Sequence, residues 1–177
     1  MPSSAPLAVQ ALTPEAFAPY GWMLGKPYPA HQAVPAFSNA ATDFWHEHAF
    51  DAGPDGEVEV LWVNYRSGAE VGQLEKHLLT QQAIVPLTGP VVHVVAASDA
   101  AGAPALGTLA AFAVPQGQGI CMRPGCWHAT RVAQGQVSCL MLTRRSTTAD
   151  LVRHLRQGQP ARESAIVQIP PRAWRAA

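Results

Sequence analysis

The sequence predicts an all-β fold, an antiparallel barrel or jelly roll with a short helix near each end. Three observations carry that expectation. Apolar residues make up 48% of the 177-residue chain and charged residues 14%, the composition of a globular protein with a sizeable core. Fourteen Gly and 16 Pro suit short strands joined by turns better than long helices. From residue 57 onward, short apolar and β-branched segments alternate with turn formers. The length fits one domain over 1–177, with its core at about 55–145.

Taken in order, LTPEAFAPY (12–20) reads as a short helix. Thr13 caps it, Pro14 suits its first position, Glu15 sits in its first turn, and Gly21 ends it. Residues 26–42, rich in Pro, Ala and Ser, read as a long loop or lid. Val58, Val60, Trp62 and Asn64 alternate with Glu57, Glu59, Leu61 and Val63, a strand expected to be buried on both sides. Residues 72–87 read as two strands with a bend near Thr80, and VVHVVAA (91–97) as a further one before a turn-rich loop at 98–107. Strands follow at 109–115, 119–124, 129–134 and 137–145, with a hairpin turn expected at Gly135 between the last two. Residues 147–158 read as a helix with a Thr cap, Asp150 in its first turn, Arg153 and Arg156 late, and Gly158 beyond its end. The Pro- and Arg-containing tail, 159–177, is expected to drape over a neighbour.

Twelve basic residues balance 12 acidic ones, so neither nucleic acid nor an anionic membrane is an expected partner. The three cysteines, Cys121, Cys126 and Cys139, form no CxxC pair and indicate neither a disulfide framework nor structural zinc. Cys121 and Cys126 read as small buried residues rather than nucleophiles. The first residues lack a basic region followed by an apolar block, and no apolar run reaches about 18 residues, so a soluble, cytoplasmic protein is expected.

The chemistry concentrates in two stretches. In the first, strand alternation puts Glu75 and His77 on one face and Lys76 on the other, with Gln82 and Gly89 following. In the second, a Pro124-Gly125 turn leads through Cys126 and Trp127 to His128. Trp45-His46-Glu47-His48 looks like a metal site but stands alone, and surface loops often carry His. Arg66, Arg123 and Arg131 are candidates to clamp a carboxylate, and Trp127 to form a wall of a pocket or core.

These two stretches resemble the paired motifs of the cupin superfamily, HxH–four residues–E–six residues–G and a Pro–Gly turn followed by His. Glu75 stands for the first His, Gln82 for the Glu, and His77, Gly89 and His128 match. LTPEAFAPYG, LEKHLLTQQAIVPLTGPVVHVVA and TLAAFAVPQGQGICMRPGCWHATRV are further similar to the ureidoglycolate lyase (hydrolase) family, whose usual Arg, Pro, Asn and second His are here Lys76, Leu78, Cys121 and Ala129. The resemblance implies a cupin barrel, a homodimer, and an enzyme of allantoin breakdown that splits ureidoglycolate into glyoxylate and urea. It also implies a divalent metal such as nickel, with zinc, iron or manganese equally suited to two imidazoles and one carboxylate.

That reaction removes a proton from a hydroxyl, forms a carbonyl and expels urea, so it needs a base, an acid and a holder for the carboxylate. Glu75, His77 and His128 are the expected catalytic groups. The same three with Gln82 are the expected metal ligands. Gln82, Lys76, Arg123, Trp127 and His46 are the expected substrate contacts. The rival readings are a metal-dependent cupin isomerase or dioxygenase acting on a small hydroxy or keto acid, and a cupin that binds a small ligand without turnover.

Overall fold

Alternating buried and exposed positions sort the chain into two facing sheets in the computed structural model, which describes residues 5–31 and 33–175. The strands are β1 (Leu7–Ala11), β2 (Gly21–Leu24), β3 (Ala36–Ser38), β4 (Asp43–Trp45), β5 (Val58–Arg66), β6 (Glu70–His77), β7 (Gln82–Pro86), β8 (Val91–Ala96), β9 (Ala110–Val114), β10 (Gly119–Met122), β11 (Trp127–Arg131), β12 (Gln136–Arg144) and β13 (Ser164–Arg175). Two α-helices join them, α1 (Pro14–Phe17) and α2 (Arg145–Gln157). β1, β13, β6, β11, β8 and β9 close into a barrel in that order, and β2–β10–β7–β12–β5 form a second, five-stranded sheet. The pairing is antiparallel except at β1, which lies parallel to both β13 and β9. The result is a jelly-roll architecture.

Two apolar clusters follow from this arrangement. Val71, Leu74, Val94, Ala111, Trp127 and Ile169 fill the closed barrel. Phe17, Ile84, Val95, Phe112, Ile120, Cys139 and Met141 fill the space between the barrel and the second sheet.

Several elements differ from the sequence reading, each for a physical reason. Strand β5 is buried on one face only. Leu61, Val63 and Tyr65 face the barrel, while Val60 and Trp62 lie on the opposite face of this outer strand and remain 64% and 65% exposed. Gly135 turns with φ 65°, but no hairpin forms there, because β11 joins the barrel through β6 and β8 while β12 joins the other sheet through β5 and β7. Gly21 does not end a helix but begins β2. A Cβ there would stand 2.0 Å from the Cys121 carbonyl oxygen, so only Gly lets β2 lie this close to β10. The segment 26–42 contains β3, which forms a small hairpin with β4. The tail does not drape over a neighbour. It folds back as β13 along β6, with Ser164 opposite His77 and Ile166 opposite Glu75.

Helix α2 also begins differently from the reading. Its cap is Arg144, with no side-chain capping bond. Asp150 lies beyond the first turn, buried, and accepts bonds from the backbone N–H groups of Arg162 (2.7 Å) and Glu163 (2.9 Å). The Glu163 N–H first, then that of Arg162 and the charge of Arg153, hold its carboxyl below the usual value against burial. Asp150 thereby ties α2 to the start of β13. Replacing Asp150 with Ala is expected to destabilise the protein by about 1–2 kcal/mol, since two part-buried N–H groups lose a charged acceptor. Urea unfolding measures it. The depressed value makes this stabilisation complete above the ordinary Asp range and lost as pH falls through the lower folded value, so the variant's deficit must shrink in acid.

Candidate functional site

The β6–β11 register places His128 opposite Glu75, on the face that looks toward the second sheet. His77 follows Glu75 on that face, and Gln82 enters from the start of β7. A backbone carbonyl, one hydroxyl and one side-chain amide then fix the orientation of the two imidazoles. His128 Nδ1 lies 3.0 Å from the Cys126 carbonyl oxygen, which can only accept, so Nδ1 carries a proton and Nε2 is turned inward. Nε2 stands 3.5 Å from Glu75 Oε1 and has no hydrogen-bond partner among the described residues. His77 Nδ1 lies 3.0 Å from Ser164 Oγ, and its Nε2 lies 2.7 Å from the Gln82 amide nitrogen, a donor. Both rings thus turn Nε2 inward, and one ligand atom each from Glu75, His77 and His128 lie within 4.8 Å of one another. Two inward imidazole nitrogens and a carboxylate oxygen at this spacing can share one cation. This donor set fits a divalent metal ion.

Next to this cluster lies a cavity of about 250 Å³, between β6 and the second sheet rather than inside the closed barrel. Glu75, His77 and Gln82 form its polar wall. Leu61, Val63 and Tyr65 of β5 and Met141 and Thr143 of β12 form the opposite side, and Thr147, Thr148 and Leu151 of α2 cover it.

A family profile described as Ureidoglycolate lyase matches residues 4–161, most of the chain. The chain belongs to the ureidoglycolate lyase family. It is 28% identical to a ureidoglycolate lyase of Brucella anthropi over 81% of this chain and 85% of that protein. It is 32% identical to one of Rhodobacter capsulatus over 69% and 75%, and 32% identical to one of Pseudomonas fluorescens over 69% and 74%. It is also similar to the solved structure of a dTDP-6-deoxy-D-glucose-3,5-epimerase from Legionella pneumophila, with TM-score 0.41, 14% identity, and coverage of 63% and 64%.

In this member of the ureidoglycolate lyase family the cluster's charges are unequal. Burial raises the Glu75 carboxyl, but the contact and charge of His128, then the charge of His77, outweigh it and leave the group below its usual value. Burial, then the charge of His128, lowers His77 to about 4 against the pull of Glu75. Glu75 is therefore an anion and His77 a neutral base near pH 7. Burial pushes the Cys121 and Cys126 thiols up to about 12, which fits small core residues and not nucleophiles.

The structure does not bring the remaining sequence-derived candidates to the cavity. Lys76, on the other face of β6, is buried at the end of the closed barrel. Its Nζ donates to the Gly102 carbonyl (2.6 Å) and stands 4.6 Å from the ring centre of Trp127. Strand alternation that aims His128 inward aims Trp127 outward into the barrel's own core. Arg123 donates to the Ala18 carbonyl and stacks over Trp22. His46 lines a separate hollow of about 380 Å³ with Lys26, Tyr28 and Trp45, and His48 stacks on Trp22 and contacts Gln81.

Three groups escaped the sequence reading. Thr143 and Tyr65 looked like ordinary members of apolar strands. So did His93, which is fully buried, 3.0 Å from Thr130 Oγ1, and stacked on His128 with ring centres 5.8 Å apart. A His within VVHVVAA was the available signal for it.

Proposed function

We propose that this chain is a ureidoglycolate lyase, splitting ureidoglycolate into glyoxylate and urea at the Glu75–His77–His128 cluster. The observation that carries the reading is the pair of inward Nε2 atoms facing an ionised carboxylate beside a small, mostly apolar cavity. The charge balance points the same way. The substrate is a carboxylate, none of the described residues lining the cavity is Arg or Lys, and His77 is neutral. A divalent metal ion held by Glu75, His77 and His128, with Gln82 as a weak further ligand, supplies the positive charge and lowers the pKa of the substrate hydroxyl. Nickel, zinc, iron and manganese all suit that set.

The chain's own groups carry the protons. Glu75 Oε1 faces His128, and Oε2 is left to take the hydroxyl proton. As the carbonyl forms and the C–N bond breaks, the same carboxyl returns its proton to the departing nitrogen, and urea leaves. Leu61, Val63, Met141 and Leu151 line the remaining wall and limit water. Metal-loaded protein given racemic ureidoglycolate is expected to release glyoxylate and urea in equal amounts. Absence of both from a metal-replete sample sinks the reading and leaves an isomerase, a dioxygenase or a non-catalytic binder.

The same proposal includes a homodimer, in the cytoplasm. Val60 and Trp62 present a flat apolar face on the outer strand of a sheet, a feature that soluble proteins normally cover. Three free, buried cysteines accord with a reducing compartment, and none of the described helices is long and apolar enough to cross a membrane. Trp62→Glu is expected to shift the protein to monomer in light scattering. An unchanged mass for wild type and variant, both monomeric, refutes the dimer.

A further inference from the structure

Strands β5 and β12 lie side by side with Glu59 opposite Thr143, on the face shared with Leu61, Val63 and Met141. The β7–β12 register, which pairs Ala83 with Leu142, brings Gln82 next in line on the other side of Thr143. A polar row, Gln82–Thr143–Glu59, therefore crosses three strands at about 4.8 Å per step, starting at the cluster and running under α2.

The row is incompletely satisfied. Gln82 is engaged by His77. Thr143 is 2% exposed and lines the cavity, yet its hydroxyl has no hydrogen-bond partner among the described residues. Glu59 Oε1 is buried and likewise without a partner. The nearest hydroxyl on α2, that of Thr147, is already given to Glu163 Oε2 at 2.7 Å. Two orphaned polar groups on one cross-strand pair are costly, and native proteins leave few. A carboxylate oxygen only accepts, so the missing partner of Glu59 is a donor. Glu59 does not itself line the cavity, whereas Thr143 does, so Thr143 is the orphaned group that a ligand in the cavity meets, with Glu59 standing behind it.

We propose that Thr143, backed by the Glu59 carboxylate on the neighbouring strand, forms a subsite for the N–H-bearing carbamoyl end of the substrate, while the Glu75–His77–His128 cluster takes its oxygen-bearing end. The inference rests on the lyase reading for the identity of the substrate but not for the existence of the subsite. It makes Thr143 a specificity-determining residue and Glu59 a positioning residue behind it. A hydroxy acid without the carbamoyl group would engage the cluster and leave Thr143 orphaned, and a buried unpaired polar group discriminates strongly.

The test uses two ligands that the enzyme cannot cleave, N-carbamoylglycine and glycolate, titrated by calorimetry into metal-loaded wild type, Thr143→Val and Glu59→Gln. Turnover of ureidoglycolate is measured on the same samples. N-carbamoylglycine is expected to bind each variant at least about tenfold more weakly, with glycolate changed by less than about twofold. Thr143→Val removes an orphaned hydroxyl and keeps the shape, so its melting temperature is expected to hold or rise, which separates lost recognition from lost folding. Equal losses for both ligands, no loss for either, or no binding of N-carbamoylglycine to the wild type overturns the subsite. If the wild type releases no glyoxylate but the difference between ligands persists, the lyase reading fails and the carbamoyl subsite stands.

Discussion

At saturating metal, Glu75→Gln is expected to lower kcat by about a thousandfold with KM close to that of the wild type, while the loss of a charged ligand weakens metal affinity. The substitution keeps the shape and one acceptor oxygen but removes the only carboxylate in the cavity wall among the described residues. Gln cannot accept the hydroxyl proton or return it to nitrogen, so both proton transfers fail at once, and general acid–base catalysis of this kind contributes about 10²–10⁴ per group. Ground-state binding through the metal and the carbamoyl subsite persists. The loss therefore falls on kcat and leaves KM nearly unchanged, the signature of an interaction made in the transition state. The depressed value of the Glu75 carboxyl adds a pH test. The base stays ionised through neutral and mildly acidic pH, so the wild-type acid limb of kcat/KM must lie below the ordinary carboxylate range. A fall of less than about tenfold in Glu75→Gln moves the proton transfers to another group.

Strand periodicity made half of the site readable and hid the other half. Alternation alone puts Glu75 and His77 on one face, and the Pro124-Gly125 turn gives His128 a second direction of approach. The register of β6 with β11 is what turns those two local facts into one cluster, with His128 opposite Glu75. The same alternation already argued against Lys76 and Trp127 as substrate contacts, since each is the sequence neighbour of an inward residue and must point the other way. The opposite wall was not legible. Tyr65, Thr143 and Glu59 sit in strands whose apolar content matches ordinary core. Their role depends on which sheet each strand joins, a long-range pairing that no local pattern encodes. The misread hairpin at Gly135 has that same origin, because the turn is real but its two strands part company into different sheets.

His128→Ala is expected to abolish stable metal binding and lower kcat/KM by about a thousandfold or more, with no recovery on adding metal. Its ring supplies the one inward nitrogen that has no protein partner among the described residues, and its Nδ1 anchor on the Cys126 carbonyl orients it before any ion arrives. In the wild type, metal binds only the folded state and so raises the melting temperature by mass action, and removal with a chelator reverses both the rise and the activity. The variant should show neither response. The metal-free protein carries a further sign of the site. Unfolded His77 takes a proton near 6.5 but the folded residue only near 4, so as pH falls across that window the unfolded state binds more protons and stability declines, by up to about 1.4 kcal/mol per pH unit. Metal requires the neutral ring, so its stabilising effect holds until the folded His77 takes a proton near 4 and weakens below that. In His128→Ala, the loss of a neighbouring positive charge lets His77 titrate higher, and the acid decline in stability must become shallower than in the wild type. A variant that kept its metal and its turnover would show that the residue 128 imidazole only packs, and the cluster would need another centre.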